Sequence, residues 1–195
     1  EQLMQQLDFV IDDLEEVYFA GGEPTLMPEH LQVINKLIER KKFNVKLRYN
    51  TNFSQTNFKG TEFLEVWKQF EDVFIHASLD DSGERGMLQR KGLDWDLVLS
   101  NRKRMIEICP KVDFMLTTTI SVFNIFHLAD FHKTMVDDNL IQLDEFIPHV
   151  LKSPPCYSIK ILPAELKNKI SELIKNHIEW IIDYARKKPP AEPKA

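Results

Sequence analysis

Five short apolar runs, spaced by stretches of helical pattern, constrain this chain more than any other feature. Residues 17–20, 45–50, 73–79, 112–119 and 145–150 read as strands. Helical spacing fills the intervals near 29–41, 61–70, 94–108 and 127–139, with Leu31, Ile34, Leu37 and Ile38 as the clearest apolar stripe. Asp94 is placed to cap the third of these, Pro110 to stop it, and Pro28 to open the first beside Glu29. A last helix over 163–187 carries Ile170, Leu173, Ile174, Ile178, Ile181 and Ile182 along one side. Strands that recur at roughly thirty- to forty-residue intervals with helical crossovers are βαβ units, so the sheet is expected to be parallel.

Strands buried on both faces are apolar throughout, and these are not. Val45, Leu47 and Tyr49 alternate with Lys46, Arg48 and Asn50; Val73, Ile75 and Ala77 alternate with Phe74, His76 and Ser78. Phe114, Leu116 and Ile120 oppose Met115, Thr117, Thr119 and Ser121, and Phe146 and Val150 oppose Glu145 and His149. Helices would bury the apolar faces. The polar faces would look into a shared space, as in a barrel or partial barrel. Leaving such groups buried without partners costs roughly 1–3 kcal/mol each, so they must meet one another, water or a polar ligand. Ligands on parallel α/β folds gather at the C-terminal strand ends. Here those ends carry Gly21, Gly22 and Glu23; Asn50, Thr51 and Asn52; Ser78 and Asp80; Thr119 and Ser121.

The rest of the composition narrows the function class. The 195 residues suffice for one substantial core. A net charge of −5 gives no general attraction to nucleic acid or anionic membrane, and no apolar run approaches a membrane span. Two cysteines, Cys109 and Cys156, make no disulfide framework, which fits a reducing cytoplasm. The chain opens at Glu1, without Met, in a helical pattern (Leu3, Leu7, Val10, Ile11, Leu14) that has no cap, and so reads as cut from something longer. Residues 188–195, rich in Pro and Lys, read as a disordered tail.

Three motifs in order, each at an expected strand end, carry a family resemblance: Ala20-Gly-Gly-Glu-Pro24, Tyr49-Asn-Thr-Asn52, and Ser78-Leu-Asp80 followed by Arg90-Lys-Gly92. Together they resemble the radical S-adenosylmethionine enzymes, in the branch with SPASM or twitch extensions. The resemblance implies a partial (β/α)6 TIM-like barrel of parallel strands with outer helices, its first strand missing, over residues 1–187. It implies that Gly21, Gly22, Glu23 and Pro24 receive the methionine amino group of S-adenosylmethionine. It further implies that Ser78 contacts the ribose or carboxylate, with Asp80 nearby, that Asn52 and Arg90 are polar partners, Arg90 of the methionine carboxylate, and that Thr119 and Ser121 support the adenosine. Strand parity alone offers Arg48, His76, Thr117, Glu145 and His149 as substrate contacts.

The chain departs from that family at its defining Cys-x3-Cys-x2-Cys, which ligates a [4Fe–4S] cluster and is absent here. No metal site is expected in these residues. The resemblance therefore implies part of an enzyme that, when intact, cleaves S-adenosylmethionine to a 5′-deoxyadenosyl radical and abstracts hydrogen from a small-molecule or peptide substrate. Such an enzyme also needs an electron donor for its cluster, and this chain alone is expected to be inactive. Two readings stand beside it: a βα-barrel hydrolase or lyase using Glu23 and Asp80, and a cluster-free module that binds a nucleoside or an amino acid.

Overall fold

The computed structural model describes residues 2–188; the tail expected at 188–195 lies, beyond Lys188, outside them. The elements run α1 (Gln2–Val10), β1 (Glu16–Phe19), α2 (Pro28–Glu39), β2 (Lys46–Thr51), a small hairpin of β3 (Asn57–Phe58) and β4 (Thr61–Glu62), α3 (Phe63–Trp67), β5 (Val73–Ser78), α4 (Gly83–Gln89), α5 (Trp95–Ile108), β6 (Asp113–Ile120), α6 (Leu128–Asp137), β7 (Phe146–Val150) and α7 (Ala164–Lys187). The fold is α/β, with five strands in one sheet in the order β1-β2-β5-β6-β7. The pairs β1/β2, β2/β5 and β6/β7 are parallel. This is the arrangement of a partial TIM-like barrel.

Two compact units make up the chain. The first combines Glu1–Ser78 with Asp94–Met115, the second Leu79–Leu93 with Leu116–Ala195. In the first, the apolar parity of the strands becomes the core: Leu47, Tyr49, Ile75 and Ala77 are completely buried, as are Ile34 and Leu37 of α2, while Arg48, Asn50, His76 and Ser78 are half-buried. An aromatic cluster of His30, Tyr49, Phe53, Phe63 and Trp67 fills the centre. Pro28 opens α2 with Glu29 in its first turn, and the Asp94 carboxylate caps α5 by accepting from the Leu97 N–H at 3.1 Å.

In the second unit, Leu116 and Ile120 are buried on β6 while Thr117 and Thr119 are half-buried. Ile120, Ile125 and Leu128 form a small core against which Phe146, Ile170 and Ile174 pack. Thr118 sits at an apolar position of β6 and is fully buried, because its hydroxyl donates to the Leu79 carbonyl at 2.7 Å. The expected parity fades at β7, where Val150 is 46% exposed and Pro148 and His149 are exposed too. This is an edge strand, and a proline there removes a donor that no neighbour needs. Two further expectations are corrected. The helix expected over 61–70 is only Phe63–Trp67, because Thr61 and Glu62 pair with the strand before them. The segment after Ser78, read only as a motif-bearing loop, holds α4.

Candidate functional site

In the first unit, β1, β2 and β5 end side by side. Past β1, Gly21 (φ +87°) and Gly22 (φ +57°) both take the left-handed region, and a Cβ on either would meet no atom within 4 Å. The main chain is exposed here and open to close approach. Residues 24–26 then form one 3-10 turn into α2, with Leu26 N–H bonded to the Glu23 carbonyl at 3.0 Å.

Glu23 is held by three donors. The Thr25 hydroxyl (2.8 Å) and the Thr51 hydroxyl (2.5 Å) both donate to Oε1, and the Asn52 main-chain N–H donates to Oε2 at 2.9 Å. A carboxylate offers about four lone-pair directions, so one on Oε2 is left to accept a further donor. Asn52 does not extend its side chain freely: Oδ1 accepts from the Ser54 N–H (2.9 Å) and hydroxyl (2.6 Å). The turn is built of buried polar groups, Thr51, Ser54 and Thr56, around Phe53, which is fully buried at φ +59°. A non-glycine residue in that region costs on the order of 1–3 kcal/mol and persists only where its surroundings enforce it. Asn101 of α5, 6% exposed, supplies part of that enforcement. Its Nδ2 donates to the Phe53 carbonyl at 3.1 Å, and its Oδ1 accepts from the Thr56 hydroxyl at 3.2 Å.

The remaining first-unit candidates have diverse surroundings. Ser78 closes β5, half-buried. The Arg48 guanidinium is committed to Asp72, with two bonds at 2.6 and 2.9 Å, and lies 3.3 Å from Glu16. Arg48 in turn holds the Asp72 carboxyl below its ordinary range, the hydrogen bond being the main cause. His76 packs on Phe74 with ring centroids 4.6 Å apart.

A cavity of about 460 Å³ lies in the second unit, lined by Asp80, Leu88, Gln89, Thr119, Ser121, Phe123, Leu151 and Tyr157. Three of the proposed ligand contacts (Asp80, Thr119, Ser121) share its wall. It has the size and mixed lining of a small-molecule site, with the Phe123 and Tyr157 rings 5.1 Å apart. Asp80 is also a structural hub: Oδ1 accepts from the Thr119 N–H at 2.8 Å, Oδ2 lies 2.7 Å from Arg90 Nε, and its carbonyl accepts from Asn124 at 2.8 Å. The Arg90 Nε contact is an ion pair without hydrogen-bond alignment. Asp81, fully buried, accepts from the Ser82 N–H and from Arg85. Thr117 accepts the Leu79 N–H at 3.2 Å through its carbonyl. Glu145 closes the turn before β7 by accepting from the Gln142 N–H at 2.8 Å, and His149 sits exposed on β7 opposite Thr119.

Among the described residues no group of three or more His, Cys, Asp or Glu could hold a metal ion. Cys109 is buried, and burial pushes its thiol up to about 11; Cys156 is exposed. These residues do not fit a [4Fe–4S] cluster. Nor is any described helix long and apolar enough to cross a membrane. Two features went unread in the sequence: the Asn101 brace, and a buried pair in the second unit, His132 Nδ1 to His177 Nε2 at 3.0 Å.

No protein-family model matches the sequence, and no curated protein does. The fold does have solved counterparts. Native anSMEcpe with bound AdoMet is 20% identical, with a TM-score of 0.52 over 80% of this chain and 45% of that one. The same protein with AdoMet and the Kp18Cys peptide gives 22% and 0.54, over 80% and 46%. SuiB of Streptococcus suis bound to S-adenosylmethionine gives 14% and 0.55, over 91% and 40%. The chain thus spans less than half the length of each. At these identities the likeness establishes a shared fold.

Proposed function

We propose that this chain binds S-adenosylmethionine as the core of a radical S-adenosylmethionine enzyme of the SPASM or twitch branch. The observation that carries the reading is the Glu23 cradle: a carboxylate fixed by Thr25, Thr51 and Asn52, one acceptor direction open, beside the exposed backbone of Gly21 and Gly22. An ammonium group needs acceptors of this kind, and charge-assisted bonds to it are the strong ones. The solved proteins that share the fold carry AdoMet, which supports the same reading.

In this reading Gly21, Gly22, Glu23 and Pro24 receive the methionine amino group, with Asn52 and Ser78 as polar neighbours. Thr119 and Ser121 offer the second unit's cavity to a nucleoside, with Asp80 and Arg90 holding its wall. S-adenosylmethionine supplies the sulfonium whose reductive cleavage is the chemistry of the radical class. In this reading the cluster ligands lie in other residues of a longer protein, and that protein works in a reducing cytoplasm. That protein would take electrons from a donor and act on a small molecule or peptide. This chain by itself would bind without turnover. The paired-carboxylate reading gains no support, since Glu23 and Asp80 are each already engaged by protein donors.

Calorimetric titration tests the proposal. Wild-type chain binds S-adenosylmethionine, and Glu23→Gln weakens it by roughly ten- to a hundredfold, the worth of one charge-assisted bond. 5′-Methylthioadenosine, which lacks the amino acid, binds both proteins alike. Equal S-adenosylmethionine affinity for wild type and variant, or none for wild type, refutes the assignment.

A further inference from the structure

We infer that Asn101 is a positioning residue for Glu23, acting from α5 through the strained turn at residues 51–56. The inference rests on the reading of Glu23 as the ammonium acceptor and adds to it the device that aims the carboxylate. Two of the three donors that fix Glu23 come from this turn: the Thr51 hydroxyl and the Asn52 N–H. The turn cannot hold that shape through its own preferences, because Phe53 stands at φ +59° where side chains other than glycine are disfavoured. Something outside must enforce it.

Two things do. Phe53 is locked in the core, ring to ring with Trp67 (6.4 Å, near-parallel) and with Phe114 (5.2 Å, edge-on). Packing fixes where the side chain lies but leaves the peptide groups on either side able to rotate. Asn101 holds one of those, the 53–54 peptide, with Nδ2 on the Phe53 carbonyl, and its Oδ1 accepts from the Thr56 hydroxyl, so one amide ties residue 53 to residue 56. Across the Phe53 Cα, the next peptide group carries the connection on to the carboxylate. The Phe53 N–H donates to Thr51 Oγ1 at 2.9 Å, and the Thr51 hydroxyl donates onward to Glu23 Oε1 at 2.5 Å. The link at Phe53 is therefore conformational: holding the 53–54 peptide limits the rotation about the Phe53 Cα that would turn the Phe53 N–H away from Thr51. Asn101, Thr51 and Thr56 are all buried, so water cannot stand in for a lost partner. Removing the Asn101 amide frees the 53–54 peptide to relax, swings the Asn52 N–H off Oε2, and leaves Glu23 poorly aimed.

The test separates aiming from mere stability. S-adenosylmethionine and 5′-methylthioadenosine are titrated into wild type, Asn101→Leu and Thr56→Val, the last a change of similar shape that puts a methyl where the hydroxyl met Asn101 Oδ1. Asn101→Leu should weaken S-adenosylmethionine about tenfold and Thr56→Val several-fold, with methylthioadenosine unchanged in both. In a Glu23→Gln background Asn101→Leu should add nothing. Unchanged S-adenosylmethionine affinity, or an equal loss for both ligands, overturns the inference. Amide hydrogen exchange supplies a readout that needs no ligand: in Asn101→Leu the Asn52 amide should exchange at least tenfold faster relative to Leu47. If Asn52 stays protected, the inference fails. If Asn52 opens while wild type binds no S-adenosylmethionine, the proposed function fails and the brace stands. Should Asn101→Leu not fold, Thr56→Val carries both measurements.

Discussion

His30 puts a pH limit on the part of the fold that carries Gly21, Gly22 and Glu23. It sits in the first turn of α2, 3% exposed, with Nε2 2.9 Å from the Tyr49 hydroxyl and its ring against Phe19, Tyr49 and Phe63. It thus fastens α2 to β1, the elements on either side of the motif, and to β2. Burial disfavours the imidazolium and lowers its pKa from 6.5 to about 4. Between those values the unfolded chain binds a proton that the folded chain refuses. Stability is therefore full above pH 6.5 and is lost as pH falls toward and through 4. At ~1.4 kcal/mol per pH unit the complete loss is about 3.5 kcal/mol, and roughly 2 kcal/mol is gone by pH 5. Urea unfolding at pH 7.5, 6.5, 5.5 and 5.0, for wild type and His30→Gln, isolates this one group. Gln can still meet the Tyr49 hydroxyl but cannot titrate, and all other ionisable groups cancel in the difference. The variant should be less stable at pH 7.5 and should close about 2 kcal/mol of that gap by pH 5. Parallel stability curves for the two proteins would refute the reasoning.

Other parts of the molecule give their own expectations. A Cβ on Gly86 of α4 would stand 2.3 Å from the Asp81 carbonyl, an approach only glycine permits; Gly86→Ala should cost about 1–3 kcal/mol in urea unfolding and loosen the segment that bears Asp80 and Arg90. Gly22→Ala meets no atom but keeps φ +57°, so it should cost only about 1 kcal/mol and leave 5′-methylthioadenosine binding intact by calorimetry. The His132–His177 pair joins α6 to α7, and burial lowers both pKa values, that of His132 to about 4. This stabilisation too is present above pH 6.5 and lost below it, so α7 amides should lose protection in hydrogen exchange as the pH is taken from 7 to 5. His132→Gln should remove most of that pH dependence, since burial of His132 is its main source, and an α7 whose protection ignores pH in the wild type would contradict it.

Strand positions were legible because burial imposes a strict period of two. The expected strand at 17–20 is observed as Glu16–Phe19, that at 73–79 as Val73–Ser78, and the half-buried polar faces of β2, β5 and β6 follow the sequence parity. Pro28 and Asp94 could be placed for a similar reason, since caps act on their immediate neighbours. The hairpin at residues 57–62 and α4 are too short to show a period, and both went unread. Phe53 shows a different limit. Nothing in Asn-Phe-Ser announces a left-handed phenylalanine, because the conformation is enforced by Asn101, 48 residues away, and by core rings. Likewise His132 and His177 are 45 residues apart and look like unrelated surface histidines until α6 and α7 meet.

The motif reading named Glu23, but its neighbours decide what that carboxylate can bind. With Thr25 and Thr51 on Oε1 and Asn52 on Oε2, three of about four lone-pair directions are spent on the protein. A hard divalent cation favours several oxygen ligands at once, and no group of three or more His, Cys, Asp or Glu among the described residues is arranged to supply them. A single N–H donor needs only one acceptor direction and gains most from a carboxylate that does not have to reorganise to meet it. The Gly21 and Gly22 backbone, bare of side chains, leaves room for whatever carries that donor. The cradle therefore discriminates by what it withholds: it offers one oriented acceptor, which suits an ammonium group, and it has already spent the directions a chelated metal or a mobile general base would require.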